Sequence, residues 1–551
     1  MKSIGFFILV FTLFLCGPNT GNGGSSSDFD ILKYGAKGNG RDKNTAAINE
    51  AIRACADSGG GTVTVPGGEY VTGPIVLSSN VTLFLEAGAV IKGSEDVNDY
   101  RNGNRTFSLI RATNARNIAV VGRGVIDGSG TAFMDMGKTR VGDYMPKDLD
   151  PRFTRQGTDY MDPKHGEADG PVVYRARPSC LIRFTNCINI LVRGVTLRNS
   201  PCWTLHLEDC QDADILGGDL INNLLVPNSD GIHCTTCQRV HISDCEISCG
   251  DDAVCVTSVG SRRAGVCEDV TVANCTLQSR SSAVRLGYGN NTVRNCTFQN
   301  LIIWDSNRGI GVFVRNKGSV ENIVFSDIVI HTRLHTGHWW GNAEPIHLSV
   351  IPGEESDDIG RIRNITFSNI IAESESGIVV YGQKPGDIRN LSFDNIKLHI
   401  KNSPLNDYYG GNFDLRPAHD KRYAIFEHDI PGVFCRHVNG LKLRRFELDW
   451  DENLPEFFDH AVFCEQFSNV IIDAFQGRQP RMNDKRAAIV LNGGQDMTIR
   501  NCRATKGTET FLQHNNIADE RLFVNNDLSE AAKAFEPAKP NFRFFGNIIP
   551  E

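Results

Sequence analysis

The middle of the chain repeats one short pattern of polar and apolar positions. A cysteine, two mostly polar residues and a short alternating strand recur four times, as Cys187-Ile-Asn-Ile-Leu-Val, Cys210-Gln-Asp-Ala-Asp-Ile, Cys237-Gln-Arg-Val-His-Ile and Cys267-Glu-Asp-Val-Thr-Val. The four cysteines are 23, 27 and 30 residues apart. Units of this length cannot bury an apolar face alone, so they must stack on one another. The pattern therefore predicts an all-β solenoid.

Rows of equivalent residues should follow from such stacking. A second cysteine series, Cys245, Cys275 and Cys296, follows Asp or Asn and precedes Glu or Thr. Further strand and turn units lie at Asn322-Ile-Val-Phe, Asn364-Ile-Thr-Phe and Asn390-Leu-Ser-Phe. The cysteines are expected to form interior rows of free thiols. A disulfide framework is the alternative, because seventeen cysteines in an exported chain are also typical of one.

An amphipathic helix precedes the repeats. Ala47, Ile48, Ala51, Ile52 and Cys55 fall on one helical face, and Gly59-Gly60-Gly61 ends the pattern. This helix is expected to cap the open N-terminal end of the solenoid. No change of composition marks a second domain, so residues 28–551 are predicted to form one domain.

The first 27 residues are predicted to be a signal peptide and a flexible leader. Lys2 precedes an apolar run from Ile4 to Leu15, which is too short to span a bilayer. Cys16 could instead carry a lipid anchor, although Leu15 fits such a site poorly. The protein is accordingly expected to be secreted, periplasmic or attached to the cell surface, with no membrane span.

Charge and motifs exclude several classes of function. The formal net charge of −8 argues against a nucleic-acid partner, which needs a basic face. Cys234-x-x-Cys237 has no partner pair, so no metal site is predicted. The chain has neither a P-loop nor a Gly-x-Ser-x-Gly elbow. We expect a monomer without a cofactor.

Three aspartates are the strongest candidates for chemistry. Asp230 stands in Asn-Ser-Asp-Gly, and Asp251 and Asp252 follow in Gly-Asp-Asp about one repeat later. Carboxyl groups brought together on adjacent coils raise the pKa of at least one of them. Glycoside hydrolysis needs such a division between a protonated and an ionised carboxyl. A solvated turn or a calcium site is the alternative interpretation.

Several motifs together resemble glycoside hydrolase family 28, the polygalacturonase family, in a divergent bacterial-type form. They are Tyr34-Gly-Ala-Lys-Gly-Asn-Gly, Val63-Thr-Val-Pro-Gly-Gly-Glu-Tyr, Asn199-Ser-Pro-Cys-Trp-Thr-Leu-His206 and the two aspartate motifs. The resemblance implies a right-handed, single-stranded parallel β-helix, the pectin-lyase-like solenoid, and an inverting hydrolase. By matching positions, it implies that Asp251 is the general acid and that Asp230 and Asp252 hold and activate the water.

Departures from the family pattern affect its basic residues. Ser281 stands where the family has the histidine of Gly-His-Gly, and Gly311 and Phe313 stand where it has Arg-Ile-Lys. The strand after Gly-Asp-Asp ends in Val256-Thr257-Ser258, where bacterial relatives often show a lysine. The missing groups are implied to bind a galacturonate carboxylate, so ordinary polygalacturonan is a doubtful substrate.

Three arginines, Arg285, Arg308 and Arg315, could replace the missing basic groups, or could be solvated edge charges. The segment His335-Thr-Gly-His338-Trp339-Trp340-Gly-Asn-Ala-Glu344 resembles bacterial members of the family. The tryptophans could stack on sugar rings or be structural. The long polar stretch from Gly128 to Pro178 is expected to form a wall or lid. The predicted substrate-binding residues are Asn228, His206, Ser281, Arg285, Tyr288, Arg308, Trp339, Trp340 and Glu344, with Trp203 as a further candidate for the cleft.

The sequence thus predicts an inverting glycosidase that acts on a pectic polysaccharide or oligosaccharide, in particular rhamnogalacturonan or a modified galacturonan. Two alternatives remain open. An eliminative polysaccharide lyase shares the β-helix but needs calcium and a basic proton abstractor. A glycan-binding solenoid without catalysis would account for the missing basic groups.

Overall fold

Successive turns of the chain hydrogen-bond in parallel to form one right-handed β-helix. The computed structural model describes residues 29–139, 154–160, 169–259, 265–356, 358–481, 485–537 and 542–550. The predicted leader, including Cys16, lies outside these residues, as does part of the polar stretch between Gly128 and Pro178. One sheet of 39 strands runs through the described residues. The predicted parallel β-helix is therefore confirmed.

Short strands separated by turns make up most of each coil, and they lengthen toward the C-terminal half. Up to the aspartate motifs, the strands are Phe29–Asp30, Asn39–Lys43, Gly61–Val65, Gly68–Thr72, Ile75–Val76, Val81–Leu85, Ala89–Gly93, Arg101–Asn102, Arg105–Thr106, Ile110–Thr113, Arg116–Gly122, Val125–Asp127, Met134–Thr139, Val172–Tyr174, Cys180–Thr185, Ile188–Arg193, Thr196–Arg198, Trp203–Glu208, Gln211–Leu216, Asp219–Ile221, Ile232–Thr235, Gln238–Ser243 and Glu246–Cys249. Beyond them, the strands are Val254–Ser258, Cys267–Ser279, Ser282–Gly289, Val293–Ser306, Arg308–Val314, Val320–Thr332, Ile346–Val350, Ile362–Ser374, Ile378–Gly382, Ile388–Ile400, Asn412–Asp414, Ile425–Glu427, Val433–Arg436, Val438–Trp450, Val462–Glu465, Ser468–Asp473, Gln476–Gly477, Ala487–Arg500, Arg503–Ala504, Thr508–Val524, Ala531–Glu536 and Arg543–Phe545.

Helices occur at the N-terminal end and in the connections. The α-helices are Thr45–Asp57 and Asn406–Tyr409, and the 3₁₀ turns are Ile31–Tyr34, Val97–Tyr100, Gly130–Phe133, Gly157–Asp159 and Lys421–Tyr423. The first helix buries Ile48, Ala51, Ile52 and Cys55 against the core, which confirms the predicted cap. Among the described residues, no helix has the length and apolar character needed to cross a membrane.

Inward-facing side chains stack in columns because the strands of successive coils are in register. Phe298, Phe325, Phe367 and Phe393 form one such column. Their neighbouring rings are stacked with centroids 4.8–4.9 Å apart. All four side chains are buried, and burying a phenylalanine contributes about 1.5–3 kcal/mol to folding. The column therefore ties four coils into one core.

Asparagines form a second kind of column at the turns. Asn295, Asn322, Asn364 and Asn390 all have φ between 54° and 58°, in the left-handed region that asparagine tolerates better than most residues. The side-chain amide of Asn364 donates to Asn322 Oδ1 at 2.9 Å, and that of Asn390 donates to Asn364 Oδ1 at 3.0 Å. Each asparagine thus adopts the left-handed backbone conformation that its turn requires, and its side chain links the turn to a neighbouring coil.

The cysteines lie in the interior as free thiols. All sixteen cysteines among the described residues are unpaired, and fifteen of them are buried. Backbone hydrogen bonds place Cys187, Cys210, Cys237 and Cys267 next to one another on successive coils. Thiols of this row donate to main-chain carbonyls, as Cys237 Sγ does to Leu207 O at 3.3 Å. The predicted interior row is confirmed, and the disulfide alternative is wrong for the described residues.

One member of the second cysteine series does not belong to its column. Cys245 and Cys275 lie next to each other on adjacent coils, but Cys275 pairs with Leu301 on the following coil. Cys296 instead pairs with Ile323 and lies five residues before Leu301 in the same strand. The local motif around Cys296 is the same, but the register between coils decides the column.

The asparagine column can be tested at Asn364, which lies in its middle. We expect Asn364→Ala to lower the free energy of unfolding by about 1–3 kcal/mol, because it loses both amide hydrogen bonds and leaves a β-carbon in the left-handed region. Asn364→Gly loses the same hydrogen bonds but tolerates the backbone, so its loss should be smaller by about 1 kcal/mol. Urea denaturation measures both. Equal losses in the two variants would contradict the backbone contribution.

Candidate active site

The coil register brings the three aspartates to one place. Asp230 lies two residues before the strand Ile232–Thr235, and Asp252 lies two residues before the strand Val254–Ser258. Ile232 pairs with Val254 in these parallel strands, and the Gly231 amide donates to Asp252 O at 3.0 Å. This offset sets Asp252 beside Asp230, with Asp251 one residue earlier. All three aspartates line the same surface pocket.

The pocket is a partly open cleft with a mixed lining. Its lining residues are Pro171, Trp203, Pro227, Asn228, Asp230, Asp251, Asp252, Val259, Arg285, Tyr288, His338, Trp339 and Trp340. Eight of the twelve residues predicted to form the site line this pocket. They are the three aspartates, Tyr288, Trp339, Trp340, Asn228 and Arg285.

Two glycines allow the aspartate-bearing turns to lie so close together. A β-carbon on Gly231 would lie 2.4 Å from Ala253 O, and one on Gly250 would lie 2.4 Å from Val226 O. Real β-carbons do not approach carbonyl oxygens this closely. The glycine of each aspartate motif is therefore needed for the close packing of the two coils, which in turn sets the spacing of the carboxyl groups.

Asp252 is held as one half of an ion pair. Arg285 Nε lies 2.5 Å from Asp252 Oδ2, and the Ser282 amide donates to Asp252 Oδ1 at 3.0 Å. The guanidinium lies over the Tyr288 ring, with Cζ 4.8 Å from the ring centroid. Both members of the ion pair are buried. A cation and an amide donor on a buried carboxylate stabilise its ionised form.

Asp251 lies in surroundings that favour its protonated form. Burial raises its pKa well above the usual value, and the negative charges of Asp230 and Asp252 raise it further, whereas Arg285 lowers it. The Asn228 side-chain amide faces Asp251 Oδ2 at 3.4 Å, and Asn228 Oδ1 accepts a hydrogen bond from Arg177 at 2.9 Å. Arg177 and Asn228 thus orient the Asp251 carboxyl.

The surroundings of Asp230 raise its pKa into the neutral range. Burial and the charge of Asp252 raise its pKa to about 7, although Arg285 opposes this rise. The Cys255 thiol faces Asp230 Oδ2 at 3.7 Å, and His233 Nδ1 lies 3.4 Å from the same oxygen. The pocket thus combines two aspartates whose pKa is raised, Asp230 and Asp251, with Asp252, which forms an ion pair with Arg285. Such a set of carboxyl groups can donate a proton to one atom and withdraw a proton from another.

The tryptophan wall of the pocket depends on a buried charged network outside it. Trp339 Nε1 donates to Asp169 O at 2.7 Å, and Arg416 Nη2 donates to Trp339 O at 2.9 Å. Asp414 Oδ2 accepts from the Gly341 amide at 2.6 Å and from Arg416 Nη2 at 2.9 Å. Trp339 and Trp340 are therefore fixed by main-chain contacts to neighbouring segments rather than by the solenoid alone.

Two predicted substrate-binding residues lie in that network and not in the pocket. Glu344 and Arg308 are buried, with Arg308 Nε 3.3 Å from Glu344 Oε2 and Arg308 Nη2 donating to Asp414 O at 2.9 Å. Arg315 is also buried, and it donates to Ser349 Oγ at 3.0 Å and to Leu415 O at 3.1 Å. The structure thus places Glu344 and Arg308 outside the lining of the pocket, in contact with each other and with Asp414.

His206 and Ser281 also lie outside the lining. His206 Nε2 lies 3.0 Å from Thr235 Oγ1, and burial lowers the pKa of this histidine well below its usual value. The Ser281 amide donates to Ser279 Oγ at 2.9 Å, and Ser281 O accepts from the Arg308 amide at 2.8 Å. Both residues are buried, and their predicted role in substrate binding stays a prediction.

Arg285 is the arginine that reaches the pocket lining. It pairs in register with Cys255 on the preceding coil and with Gly311 on the following coil. The Phe313 ring occupies the space beside Gly311, because a β-carbon there would lie 2.5 Å from Phe313 Cε2. The positive charge is therefore on Arg285, one coil nearer to the aspartates than Gly311, which stands where the family has its arginine.

Sequence reasoning missed Arg177, His233, Cys255 and His338. The strand offset that pairs Ile232 with Val254 also pairs His233 with Cys255, so the spacing of the aspartate motifs carried a signal for these two. Arg177 and His338 come from long connections, where no repeat gives their position. Asp230, His233 and Cys255 also offer donor atoms that lie within 4.8 Å of one another, a spacing that can hold a metal ion.

Two family models match the chain. Residues 152–406 match glycosyl hydrolases family 28, and residues 29–128 match the family described as rhamnogalacturonase A/epimerase, pectate lyase-like. The first match includes every lining residue of the pocket.

Individual relatives cover parts of the chain. It is 30% identical over 246 residues to a probable polygalacturonase of Vitis vinifera, with 41% of this chain and 44% of the relative covered. It is 27% identical over 250 residues to an exo-poly-alpha-D-galacturonosidase of Dickeya chrysanthemi, with 41% of each covered. The chain thus spans less than half the length of these curated relatives. The crystal structure of a Thermotoga maritima exopolygalacturonase shares the fold at 23% identity and a TM-score of 0.54, with 67% of this chain and 86% of that chain covered.

The raised pKa of Asp251 predicts a stability change on its neutralisation. A carboxyl whose folded pKa exceeds its unfolded pKa destabilises the fold as pH rises above the unfolded value of 3.8, and the full penalty applies above the folded pKa. Asp251→Asn should therefore raise the thermal midpoint at pH 8 and leave it unchanged at pH 3. Asp219→Asn, on an exposed strand position, is the matched control without effect. A thermal midpoint for Asp251→Asn that does not rise at pH 8 would contradict the electrostatic argument.

Proposed function

The chain is a divergent relative of glycosyl hydrolases family 28 through residues 152–406, and on that premise we propose that it is an inverting glycosidase of pectic polysaccharides or oligosaccharides. The observation that carries the proposal is the division of charge in the pocket. Asp251, whose pKa is raised by its surroundings, lies beside Asp252, which forms an ion pair with Arg285. Glycoside hydrolysis by inversion needs this combination of general acid and general base.

In this proposal, Asp251 donates its proton to the glycosidic oxygen as that bond breaks. Asp230 and Asp252 hold one water on the opposite side of the sugar and accept a proton from it as the water attacks the anomeric carbon. Arg285 and the Ser282 amide keep the charge on Asp252. Asn228, held by Arg177, keeps the Asp251 carboxyl directed into the pocket.

The charges of the lining support a sugar without a free carboxylate as the residue bound in the pocket. Among the lining residues that the structure describes, Arg285 is the one arginine or lysine, and it forms an ion pair with Asp252. Arg308 and Arg315 are committed to other buried partners. An incoming galacturonate would bring a further negative charge next to three aspartates, which is electrostatically unfavourable. We therefore propose rhamnose in rhamnogalacturonan, or an esterified galacturonate, as the bound residue.

The aromatic residues of the pocket support a carbohydrate ligand. Trp203, Trp339 and Trp340 line the pocket together with Tyr288. Trp203 stacks on His233 with ring centroids 4.0 Å apart, so its plane is fixed before any ligand arrives. Aromatic rings that are rigid and partly apolar provide contact area at low entropic cost, and we propose that they pack against the apolar faces of sugar rings.

Two rival functions are distinguished by their products. A lyase would release a product with a new carbon–carbon double bond, which absorbs ultraviolet light, and it would need calcium. A glycan-binding solenoid would bind pectic fragments without releasing reducing ends. Asp251 and Asp252 in unlike environments favour the hydrolase, since elimination needs a basic proton abstractor and binding needs no proton donor.

The proposed function is tested by the release of reducing ends from a panel of substrates. We expect rhamnogalacturonan and methyl-esterified galacturonan to be cleaved faster than polygalacturonate. Asp251→Asn should lower turnover by about 10²- to 10⁴-fold while the fold remains intact, because it removes the general acid. Asp219→Asn should retain full activity. Turnover of Asp251→Asn close to that of the unaltered protein would overturn the assignment, and products with ultraviolet absorbance would show the lyase instead.

Stereochemistry tests the division of roles. A water held by Asp230 and Asp252 attacks from the side opposite to the bond that Asp251 protonates, so the anomeric configuration inverts in one displacement. Proton NMR of the first product, recorded before mutarotation, should show the anomer opposite to the cleaved linkage. A product with the original configuration would mean that one aspartate acts as a nucleophile through a covalent intermediate.

A further inference from the structure

We propose that Asp230, His233 and Cys255 form a binding site for a thiophilic divalent cation such as Zn²⁺, and that occupation of this site inhibits the enzyme. The inhibition rests on the proposed function, because it requires that Asp230 acts in the reaction. The metal site itself rests on geometry alone. The three side chains supply a carboxylate oxygen, an imidazole nitrogen and a sulfur, which are the donor types that zinc prefers.

The spacing of the donor atoms fits one tetrahedral ion. His233 Nδ1 lies 3.4 Å and Cys255 Sγ lies 3.7 Å from Asp230 Oδ2, and all three donor atoms lie within 4.8 Å of one another. Zinc binds oxygen and nitrogen at about 2.0–2.2 Å and sulfur at about 2.3 Å in a tetrahedral arrangement. Ligand atoms at such distances from a common centre are separated by about 3.3–3.7 Å. Two of the pairs already have this separation.

The contact between His233 Nε2 and Thr257 orients the imidazole for metal binding through Nδ1. His233 Nε2 lies 3.0 Å from Thr257 Oγ1, while Nδ1 is buried without a hydrogen-bond partner. When Nε2 carries the proton and donates it to Thr257, the lone pair of Nδ1 is directed toward Asp230. Outer contacts of this kind fix the tautomer of metal-binding histidines. Burial and the charge of Arg285 lower the pKa of His233 well below its usual value, so the ring is neutral at pH 7.

The site is also open to the pocket on one side. Asp230 lines the pocket, and its Oδ1 is buried without a hydrogen-bond partner. An ion bound to three protein ligands keeps a fourth position for water or a sugar hydroxyl. Binding releases the Cys255 thiol proton to solvent as the zinc–sulfur bond forms. Because the thiol must lose its proton to bind, metal binding should strengthen as pH rises.

Two neighbouring groups set limits on the affinity. Arg285 Nη2 lies 3.6 Å from Cys255 Sγ, and its positive charge opposes a cation while it favours the thiolate. Asp252 neutralises that guanidinium at 2.5 Å. The balance of charge around the site therefore comes from Asp230 and Asp252 against one arginine, which favours a cation.

Spectroscopy with Co²⁺ tests the site without any need for activity. We expect the full-length protein to bind one Co²⁺ with a thiolate-to-metal charge-transfer band, and Zn²⁺ to displace it. Cys255→Ala should abolish the band and weaken Zn²⁺ binding by at least about 100-fold, since outer contacts alone typically change metal affinity by about 10- to 100-fold. Thr257→Val, which removes only the outer contact of His233, should weaken binding by that smaller factor. Cys234→Ala is the matched control, because Cys234 is as buried as Cys255, lies one residue after His233 in the strand Ile232–Thr235 and belongs to the hydrophobic core.

The outcomes separate this inference from the proposed function. A band that persists in Cys255→Ala, or that disappears equally in Cys234→Ala, overturns the metal site whether or not the protein is a glycosidase. A band that follows the expected pattern in a protein without glycosidase activity supports the site and removes the proposed function. Where activity is present, we expect Zn²⁺ to inhibit the unaltered protein and to have at least about 100-fold less effect on Cys255→Ala, in proportion to the loss of affinity. Activation by Zn²⁺ would overturn the inhibitory role.

Discussion

Parallel hydrogen bonding in register between successive coils is the constraint on which the rest of this structure depends. It places Phe298, Phe325 and Phe367 in one stacked column and aligns the turn asparagines so that each amide reaches the next coil. The same register brings Asp252 beside Asp230 through the pairing of Ile232 with Val254. The site therefore needs no dedicated scaffold, because the repeat that builds the core also sets the spacing of the carboxyl groups.

Burial then gives the aspartates their different chemical characters. Asp251 is partly buried and lies close to two other carboxyl groups, which raises its pKa. Asp252 lies in the same pocket but has Arg285 as a partner, which offsets the cost of its charge. Arg285 also lowers the pKa of Asp230 and of Asp251. A single guanidinium thus influences all three groups, and its place on the coil directly after the aspartates matters more than the number of basic residues in the chain.

The sequence was informative wherever the repeat alone determines position. The solenoid, the capping helix, the four-cysteine row and the aspartate cluster all follow from local motifs at regular spacing. Prediction failed where coil length or a long connection decides the outcome. Cys296 carries the motif of its series but lies in another column, since a shift along a strand changes the neighbour on the next coil.

Glu344 and Arg308 illustrate the same limit at the site. Both belong to segments whose chemistry suggested a sugar ligand, yet they satisfy each other in the interior. The buried positions of these two side chains depend on Asp414, which Arg308 contacts and Arg416 binds. Asp414 and Arg416 come from a distant connection whose position the repeat does not predict. Conversely, His233 and Cys255 were within reach of the sequence, because they share the offset of the aspartates. Only the structure shows which charged residues face solvent and which face one another.

The tryptophan wall and the aspartates are built on physically separate foundations. The carboxyl groups are fixed by the coil register, whereas Trp339 and Trp340 stand on a connection that is held by Asp414 and Arg416. Insertions, deletions or exchanges in that connection can change the mouth of the cleft while the pairing of Ile232 with Val254 still holds the aspartates together. In evolution, such a division allows a lineage to acquire new polymer preferences rapidly while inheriting its reaction machinery intact.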